Sequence, residues 1–173
     1  MTSEARALKP LRVAVLTVSD TRNEATDKSG ALLVERLRAT GHVVAAKTIV
    51  RDDIYAIRAI VSAWIADPQV EVVITTGGTG LTGRDGTPEA IAVLLDKEID
   101  GFGELFRAIS NEEIGASSFQ SRAVAGVANA TYIFCLPGSS GACATGWDKL
   151  IAPQLDYRTR PCNLAELIPR LKE

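Results

Sequence analysis

The sequence predicts a three-layer α/β/α fold with a mostly parallel central sheet and one antiparallel hairpin. Short apolar runs alternate along the chain with longer stretches whose apolar residues recur at helical spacing. The apolar runs are continuous, which is typical of strands buried on both faces of a parallel sheet. The chain has 173 residues, enough for one domain that buries roughly 70% of its unfolded surface.

The first half of the chain supplies three strands and two helices. The predicted strands and helices alternate, over residues 12–18, 30–40, 43–50, 54–66 and 72–76. Gly41 ends the first helix, because glycine readily adopts the left-handed conformation found at helix C-termini. Asp53 is a natural N-cap for the second helix, and Asp67-Pro68 ends it.

The second half continues the alternation and adds the hairpin. The predicted elements are a helix from Thr87, a helix over 101–114, strands over 124–127 and 132–136, and a helix over about 142–151. Asn129-Ala130 is too short a connection for a crossover, so the last two strands should pair antiparallel. We expect residues 1–10 to be a flexible tail, 11–155 the folded domain and 156–173 a C-terminal arm.

A glycine-rich loop leads from the third strand to the next helix. Residues 77–86 hold five of the fourteen glycines, and glycines let backbone amides point toward an incoming anion. Thr87, Pro88 and Glu89 are typical of a helix start, with a hydroxyl N-cap, an early proline and an acid near the helix dipole. Asp85 within the loop would repel phosphate unless a cation lay between them, so the loop predicts phosphate together with Mg2+.

Commoner glycine motifs fit this loop less well. The G-x-G-x-x-G pattern from Gly78 to Gly83 matches the dinucleotide fingerprint, but the helix begins only at Thr87. The same spacing matches a Walker A loop, but Arg84 and Asp85 occupy the positions where Lys and Ser/Thr are required. A glycine-rich turn without a ligand remains an alternative.

Polar residues also follow the first two strands. Ser19 and Asp20 come after the first strand, and Asp52 follows the second. The carboxyl ends of strands in open α/β sheets are where ligands bind, so Asp52 is a candidate partner for Asp85 in holding a metal. Turn capping is the alternative role for Ser19 and Asp20, and a solvated helix start is the alternative for Asp52.

Two further segments carry groups suited to an anion. Residues 117–122 combine three serines with Arg122, whose planar fork suits phosphate. A plain capping turn explains the same residues. The loop 137–141 follows the last strand, and its amides and Ser139 could bind an anion or the edge of a ring.

Composition excludes several functional classes. With 21 acidic and 19 basic residues the net charge is −2, which gives no support to nucleic-acid or membrane binding. The N-terminal ten residues lack the apolar segment of a signal peptide. Cys135, Cys143 and Cys162 are scattered without a CxxC motif, as in reduced cytoplasmic proteins. His42, the single histidine, lies at a strand boundary, which makes Ser-His-Asp and Cys-His catalysis poor candidates.

Several motifs together resemble the molybdopterin-binding family of molybdenum cofactor biosynthesis. They are Thr75–Gly80, Arg84-Asp85-x-Thr87-Pro88, Gly101-Phe102-Gly103-Glu104, Ser121-Arg122 and Leu136-Pro137-Gly138. The resemblance covers nearly the whole chain, from about Arg12 to Cys162.

The resemblance implies a three-layer α/β/α fold assembled as trimers or hexamers. It also implies adenylylation of molybdopterin by ATP with Mg2+, in which the pterin phosphate attacks the α-phosphate and pyrophosphate leaves. The implied partners are a small-molecule pterin and nucleotide, further copies of the chain, and other molybdenum cofactor proteins.

Roles follow for particular residues from this resemblance. Asp52 and Asp85 match acids that hold Mg2+, and both are present here. The expected phosphate, nucleotide and pterin contacts are Ser19, Thr76, Gly77, Gly78, Thr79, Gly80, Ser118, Ser121, Arg122, Pro137, Gly138 and Ser139. Gly86 and Arg51 depart from the family pattern, where a larger residue and a proline are common.

Two other functions are compatible with the same sequence. A non-catalytic molybdopterin-binding or scaffold protein of the same pathway would carry the same motifs without turnover. A flavodoxin-like mononucleotide protein would share the fold, but few aromatic residues stand at the strand ends.

Overall fold

The structure is a computed structural model that describes residues 6–173. Within these residues the strands form a single mixed sheet in the order β2-β1-β3-β6-β5-β4. The strands are β1 (Arg12–Val18), β2 (Val43–Val50), β3 (Val72–Thr76), β4 (Lys97–Glu98), β5 (Val124–Ala128) and β6 (Thr131–Leu136).

Parallel pairing dominates the sheet. β1 pairs in parallel with β2 and with β3, and β3 pairs in parallel with β6. β5 pairs antiparallel with β6 and with β4. Asn129 and Ala130 both have positive φ, 45° and 63°, as expected of a two-residue turn that matches the twist of a hairpin. The predicted fold and hairpin are confirmed.

Helices cover both faces of the sheet. They are α1 (Lys28–Ala39), α2 (Ile54–Ala66), α3 (Thr87–Ala92), α4 (Asp100–Ile114), α5 (Ser140–Gly146) and α6 (Ala152–Leu155). One core contains Leu33, Phe106 and Trp147 from α1, α4 and the turn after α5. The other contains Ile57 and Ile91 from α2 and α3. The sheet therefore lies between two helical layers.

Three details differ from the sequence-based predictions. Thr87 is not the N-cap of α3; Gly86 holds that position, and no side chain caps the helix. The last long helical segment covers residues 140–155 and not only about 142–151, because a π-helical turn over Trp147–Ile151 joins α5 to α6. β4 was not predicted, because its two exposed residues carry no apolar pattern.

The ends of the described chain pack against each other. Arg6 forms an ion pair with Glu166, and Lys9 Nζ lies 3.8 Å from the centre of the Tyr157 ring. Leu164 accepts a hydrogen bond from the buried Tyr132 hydroxyl at 2.9 Å. Residues 1–5 of the predicted tail lie outside the described residues. Over residues 6–173, no helix has the length and apolar character needed to cross a bilayer.

Candidate functional site

The four parallel strands end together at one edge of the sheet. The register pairs Val18 with Val50, Thr17 with Thr76, and Thr76 with Leu136. The loops that follow β1, β2, β3 and β6 therefore lie side by side. They hold most of the site residues predicted from the sequence.

The glycine-rich loop after β3 depends on two glycines with positive φ. Gly77 has φ +100° and Gly78 has φ +64°. A Cβ at Gly77 would overlap the Val18 carbonyl oxygen, and one at Gly138 would lie 3.2 Å from the Gly77 Cα. The loops after β1, β3 and β6 consequently approach more closely than side chains would allow.

Arg122 occupies the inner side of the glycine-rich loop. Its Nε donates to the Thr79 carbonyl at 3.2 Å, and its Nη2 donates to the carbonyls of Gly80 and Asp85 at 2.6 and 3.0 Å. Its Nη1 pairs with Glu89. The guanidinium that was expected to bind pterin or phosphate thus has its donors directed at the protein itself.

Asp52 and Asp85 flank the same stretch of the loop. An Asp52 carboxylate oxygen lies 3.0 Å from the place where a Cβ at Gly78 would stand, and an Asp85 oxygen lies 2.6 Å from the corresponding place at Gly80. Among residues 6–173, neither acid forms an ion pair with a Lys or Arg side chain. The structure therefore places both predicted acids on one rim.

The two carboxylates have different environments. Burial raises the pKa of Asp52, and the charges of Asp85 and Asp20 raise it further. A hydrogen bond from the Thr82 hydroxyl is the main cause that lowers the pKa of Asp85. Asp52 Oδ1 is buried and has no hydrogen-bond partner among the described residues. These carboxylates repel each other, and a bound cation would relieve that repulsion.

The buried Thr87 hydroxyl lies beside Asp52. A Cβ at Gly78 would overlap Thr87 Oγ1, and within residues 6–173 this oxygen has no hydrogen-bond partner either. The Thr87 backbone amide donates to the Gly78 carbonyl at 2.9 Å. A backbone hydrogen bond therefore connects the start of α3 to the loop. The Thr87 hydroxyl lies on the same side of Gly78 as the Asp52 carboxylate.

Three predicted residues serve the protein's own loops. Ser19 Oγ accepts from the amides of Thr21 and Arg22 at 3.2 and 3.1 Å, as the capping interpretation expects. Thr76 Oγ1 donates to the Pro137 carbonyl at 3.1 Å. The Gly138 carbonyl accepts from Arg22 at 2.9 Å.

A cavity of about 340 Å³ opens next to the loop. Five predicted residues line it: Thr79, Gly80, Ser121, Pro137 and Ser139. Phe106 and Ile114 supply apolar walls. Ser121 Oγ is buried and no group of the described chain hydrogen-bonds to it, whereas Ser139 Oγ accepts from the Ala142 amide and caps α5. Ser118 lies apart from this cavity, with its Oγ 3.4 Å from Asn111 Oδ1.

Glu113 also lines the cavity and was missed in the sequence. It accepts from Lys149 Nζ at 2.6 Å and from Thr145 Oγ1 at 2.7 Å. The Lys149 hydrogen bond is the main cause that lowers the pKa of Glu113. A single acid near the C-terminal end of α4 forms no motif, and its partners lie more than thirty residues away, so no sequence signal marked it.

The donor set at the rim suits a cation that also binds substrate. No group of three or more His, Cys, Asp or Glu side chains in residues 6–173 could hold a metal alone. Mg2+ in proteins is commonly held by one or two carboxylates, with substrate phosphates and water completing its coordination. Asp52 and Asp85 fit that pattern.

These features define a class of protein. A mostly parallel sheet with a glycine-rich loop, two acids without ion-pair partners among residues 6–173 and a largely apolar cavity at its strand ends is typical of open α/β proteins that bind small molecules at this edge. Comparison with known families specifies the class. The family described as "Probable molybdopterin binding domain" matches residues 14–157, and the chain belongs to it.

Individual relatives agree with this assignment. The chain is 57% identical over 164 residues to "Molybdenum cofactor biosynthesis protein B" of Escherichia coli (strain K12), covering 95% of each protein. It is 50% identical over 155 residues to the protein of that name from Bacillus cereus, covering 89% of this chain and 92% of the relative.

Solved structures show the same fold. A crystal structure of "Molybdenum cofactor biosynthesis protein B" superposes with a TM-score of 0.87 at 47% identity, covering 96% of this chain and 98% of the other. The "tungsten cofactor synthesizing protein MoaB from Pyrococcus furiosus" gives a TM-score of 0.76 at 35% identity, covering 96% of this chain and 100% of the other.

Proposed function

We propose that this protein acts in molybdenum cofactor biosynthesis and adenylylates molybdopterin with Mg-ATP. An oxygen of the molybdopterin phosphate forms a bond to the α-phosphorus of ATP. The bond from that phosphorus to the pyrophosphate oxygen breaks. The products are adenylyl-molybdopterin and pyrophosphate.

One observation carries the proposal. Asp52 and Asp85 flank the glycine-rich loop on one rim, and within residues 6–173 neither has a cationic side-chain partner. Like charges are costly to hold together at such a rim, and a ligand cation compensates for that cost. Two acids beside a loop suited to phosphate are the donor set expected of a Mg-nucleotide site.

The fit to Mg2+ rests on the free oxygens of this rim. Asp52 Oδ1 is buried and has no hydrogen-bond partner in the part of the chain that the structure describes. Burial, and then the charge of Asp85, raise the pKa of Asp52. Asp52 and Asp85 would hold the ion. When bound, Mg2+ would neutralise charge on the triphosphate and on the departing pyrophosphate.

The proposed reaction needs no general base. A phosphate monoester is already ionised at neutral pH, so its oxygen can attack without losing a proton to the protein. The single histidine is not placed to act as a base. His42 lies before β2, at the opposite edge of the sheet from the site, and its Nδ1 accepts from the Leu11 amide. The protein's contribution would be positioning and charge neutralisation.

Other groups of the site would orient the substrates. The Gly77 amide donates to the Leu136 carbonyl at 3.1 Å, and the Gly80 amide faces the Asp85 carboxylate. The Gly78 amide would therefore be the loop glycine amide that meets phosphate. The cavity lined by Phe106 and Ile114 offers apolar surface for the pterin, and Ser121 Oγ is a free polar group there. Its volume of about 340 Å³ is at the lower end of ordinary ligand pockets.

Pyrophosphate release tests the proposal directly. Purified protein with ATP, MgCl2 and molybdopterin should release one pyrophosphate for each adenylyl-molybdopterin found by mass spectrometry. Omission of molybdopterin should abolish release. Binding of molybdopterin without pyrophosphate or adenylylated product would instead identify a non-catalytic pterin-binding protein. A yellow, FMN-bearing preparation would indicate the flavodoxin-like alternative.

A further inference from the structure

Arg122 directs most of its N–H donors at the glycine-rich loop, which leaves few of them for an anion. Its side chain is 26% exposed. It donates to three loop carbonyls, those of Thr79, Gly80 and Asp85. Each of these hydrogen bonds fixes the direction of a carbonyl. Because the peptide is planar, it also fixes the orientation of the whole peptide group.

Two of these peptide groups reach the acids of the rim. In a trans peptide the C=O and N–H point in opposite directions. The peptide from Thr79 to Gly80 directs its carbonyl at Arg122, and its Gly80 end faces Asp85, whose carboxylate oxygen lies 2.6 Å from the place of a Cβ at Gly80. After the Thr82 hydroxyl, the Gly80 amide is among the groups that lower the pKa of Asp85. The peptide from Asp85 to Gly86 also directs its carbonyl at Arg122. The Gly86 amide at its other end is near enough to the Asp52 carboxylate to lower the pKa of that acid, against the larger raising effect of burial.

We propose that Arg122 is a positioning residue that orients both Asp52 and Asp85 through these two peptide groups, and does not contact pterin or phosphate. The guanidinium is linked to each carboxylate by one peptide. A single side chain thereby sets the directions in which both acids face the rim. The inference rests on the proposed function for its catalytic consequence, but the positioning itself is a property of the folded chain.

The chemistry of arginine explains why this residue suits the role. A planar guanidinium presents several donors at fixed angles, so it can hold carbonyls from separate parts of one loop. A lysine ammonium would keep the charge but could not reproduce the fork. Residues that orient metal-binding groups typically change metal affinity by about 10- to 100-fold when altered.

NMR of 15N-glycine-labelled full-length protein tests the inference without relying on activity. Arg122→Lys should move the amide proton resonances of both Gly80 and Gly86 upfield, because the two amides then turn away from the carboxylates. Affinity for Mn2+ alone, measured by electron paramagnetic resonance, should fall by about tenfold. If adenylylation occurs, kcat should fall while the dissociation constant for molybdopterin stays within about twofold, because Arg122 acts through the two acids and not on the pterin.

Arg58→Lys is the matched control. Arg58 also donates to backbone carbonyls, those of Glu89 and Ala90 in α3, at 3.2 and 3.4 Å. Its substitution should leave the Gly80 and Gly86 resonances and the Mn2+ affinity unchanged. Unchanged resonances in Arg122→Lys, with weaker binding of molybdopterin or inorganic phosphate, would overturn the inference and make Arg122 a ligand.

A second measurement needs no substitution at Arg122. Asp52→Asn should move the Gly86 resonance and leave that of Gly80, whereas Asp85→Asn should do the reverse. If neither resonance responds to its own acid, the link from peptide to carboxylate is absent and the inference fails. If the links are found in a protein that releases no pyrophosphate, the positioning stands and the proposed reaction alone is lost.

Discussion

Arg84 and Asp20 form an ion pair across the mouth of the candidate site, with 2.9 Å between Arg84 Nη2 and an Asp20 carboxylate oxygen. Both residues also hold the backbone of Asp52. Asp20 accepts from the Asp52 amide at 3.2 Å, and Arg84 donates to the Asp52 carbonyl at 3.4 Å. These contacts connect the end of β2 to the glycine-rich loop. They also place the Arg84 guanidinium near Asp52.

Removal of the Arg84 charge should raise the pKa of Asp52. Arg84 is one of the groups that lower this pKa, against the larger raising effects of burial and of Asp85. Carboxyl 13C NMR of Arg84→Gln should show the increase, and Arg84→Lys should largely preserve the wild-type value. Because the Arg84 side chain is 65% exposed, the melting temperature should change little. A lower Asp52 pKa in Arg84→Gln would contradict the assigned electrostatics.

Asp85→Asn should abolish most turnover and leave pterin binding intact. The amide keeps an oxygen for the hydrogen bonds from Thr82 but loses the charge that would face Mg2+. We expect kcat to fall by at least about 100-fold, the scale on which loss of a charge-stabilising group usually acts. The dissociation constant for molybdopterin should stay within about twofold, since the change affects only the metal side.

The pKa of Asp52 in the Asp85→Asn variant tests whether the two acids are close together. The charge of Asp85 is among the causes that raise the pKa of Asp52, so Asp85→Asn should lower that pKa. Burial is the larger cause and remains, so the pKa should stay above the ordinary value. Wild-type turnover in Asp85→Asn would refute the metal role of this acid.

The fold was largely predictable because its local signals are strong and agree with each other. The bounds of β1 and β2 match the predictions over 12–18 and 43–50, since each apolar run ends in polar residues. Helix α2 matches over 54–66, and Asp53 Oδ1 accepts from the Ala56 amide as predicted. β4 depends on antiparallel pairing with β5 across the chain, which no local pattern reveals.

The site was predictable at its strand ends and much less so in its contacts. The carboxyl-edge rule brought Asp52 and Asp85 to one rim from sequence position alone. The partners of Arg122 are backbone carbonyls, and carbonyls occur in every residue, so no pattern of side chains marks them. Thr87 has the residue type of an N-cap, but the preceding Gly86 takes that position and the hydroxyl turns inward.

Stability should depend on pH through Asp52 with a definite sign. Its pKa in the folded state is raised above the ordinary value of 3.8, so the folded protein binds more protons than the unfolded chain between those two values. Stability from this group therefore falls as pH rises through that window and stays lower above it.

Asp52→Asn removes the cost of burying an ionised carboxylate in the folded state. The variant should melt at a higher temperature than the wild type at neutral pH, and the difference should shrink as pH falls below the ordinary carboxyl pKa. Calorimetry over this range measures both. A lower melting temperature for Asp52→Asn at neutral pH would mean that the ionised carboxylate stabilises the fold. Saturating MgCl2 with ATP should raise the wild-type melting temperature more than that of the variant, because ligand binding stabilises the folded state.

Thiol chemistry should distinguish the three cysteines. Cys162 is exposed, whereas Cys135 and Cys143 are buried. Burial raises the pKa of Cys135 to about 12 and that of Cys143 to about 11, and the thiolate is the reactive form. An aromatic disulfide reagent at mildly alkaline pH should modify Cys162 rapidly and the other two only after denaturation. Cys162→Ser should lose the rapid phase, and a rapid phase that survives this change would show that a buried cysteine is accessible.

Gly78→Ala should disrupt the rim and destabilise the fold. Gly78 has φ +64°, which costs a residue with a side chain of order 1 kcal/mol or more. The new methyl group would also overlap Thr87 Oγ1 and stand 3.0 Å from Asp52 Oδ1, so Asp52 or the start of α3 must move. We expect a loss of about 1–3 kcal/mol in the free energy of unfolding, together with weaker binding of Mn2+.

Gly83→Ala is the matched control within the same loop. A Cβ at Gly83 meets nothing within 4 Å, and its φ lies outside the left-handed region. Because alanine restricts the unfolded chain more than glycine does, this change should be neutral or stabilise the protein by up to about 1 kcal/mol. Urea unfolding and Mn2+ titration of the two variants should therefore diverge. Equal effects would mean that the loop tolerates side chains at Gly78, and that the spacing between Gly78, Thr87 and Asp52 does not govern the metal site.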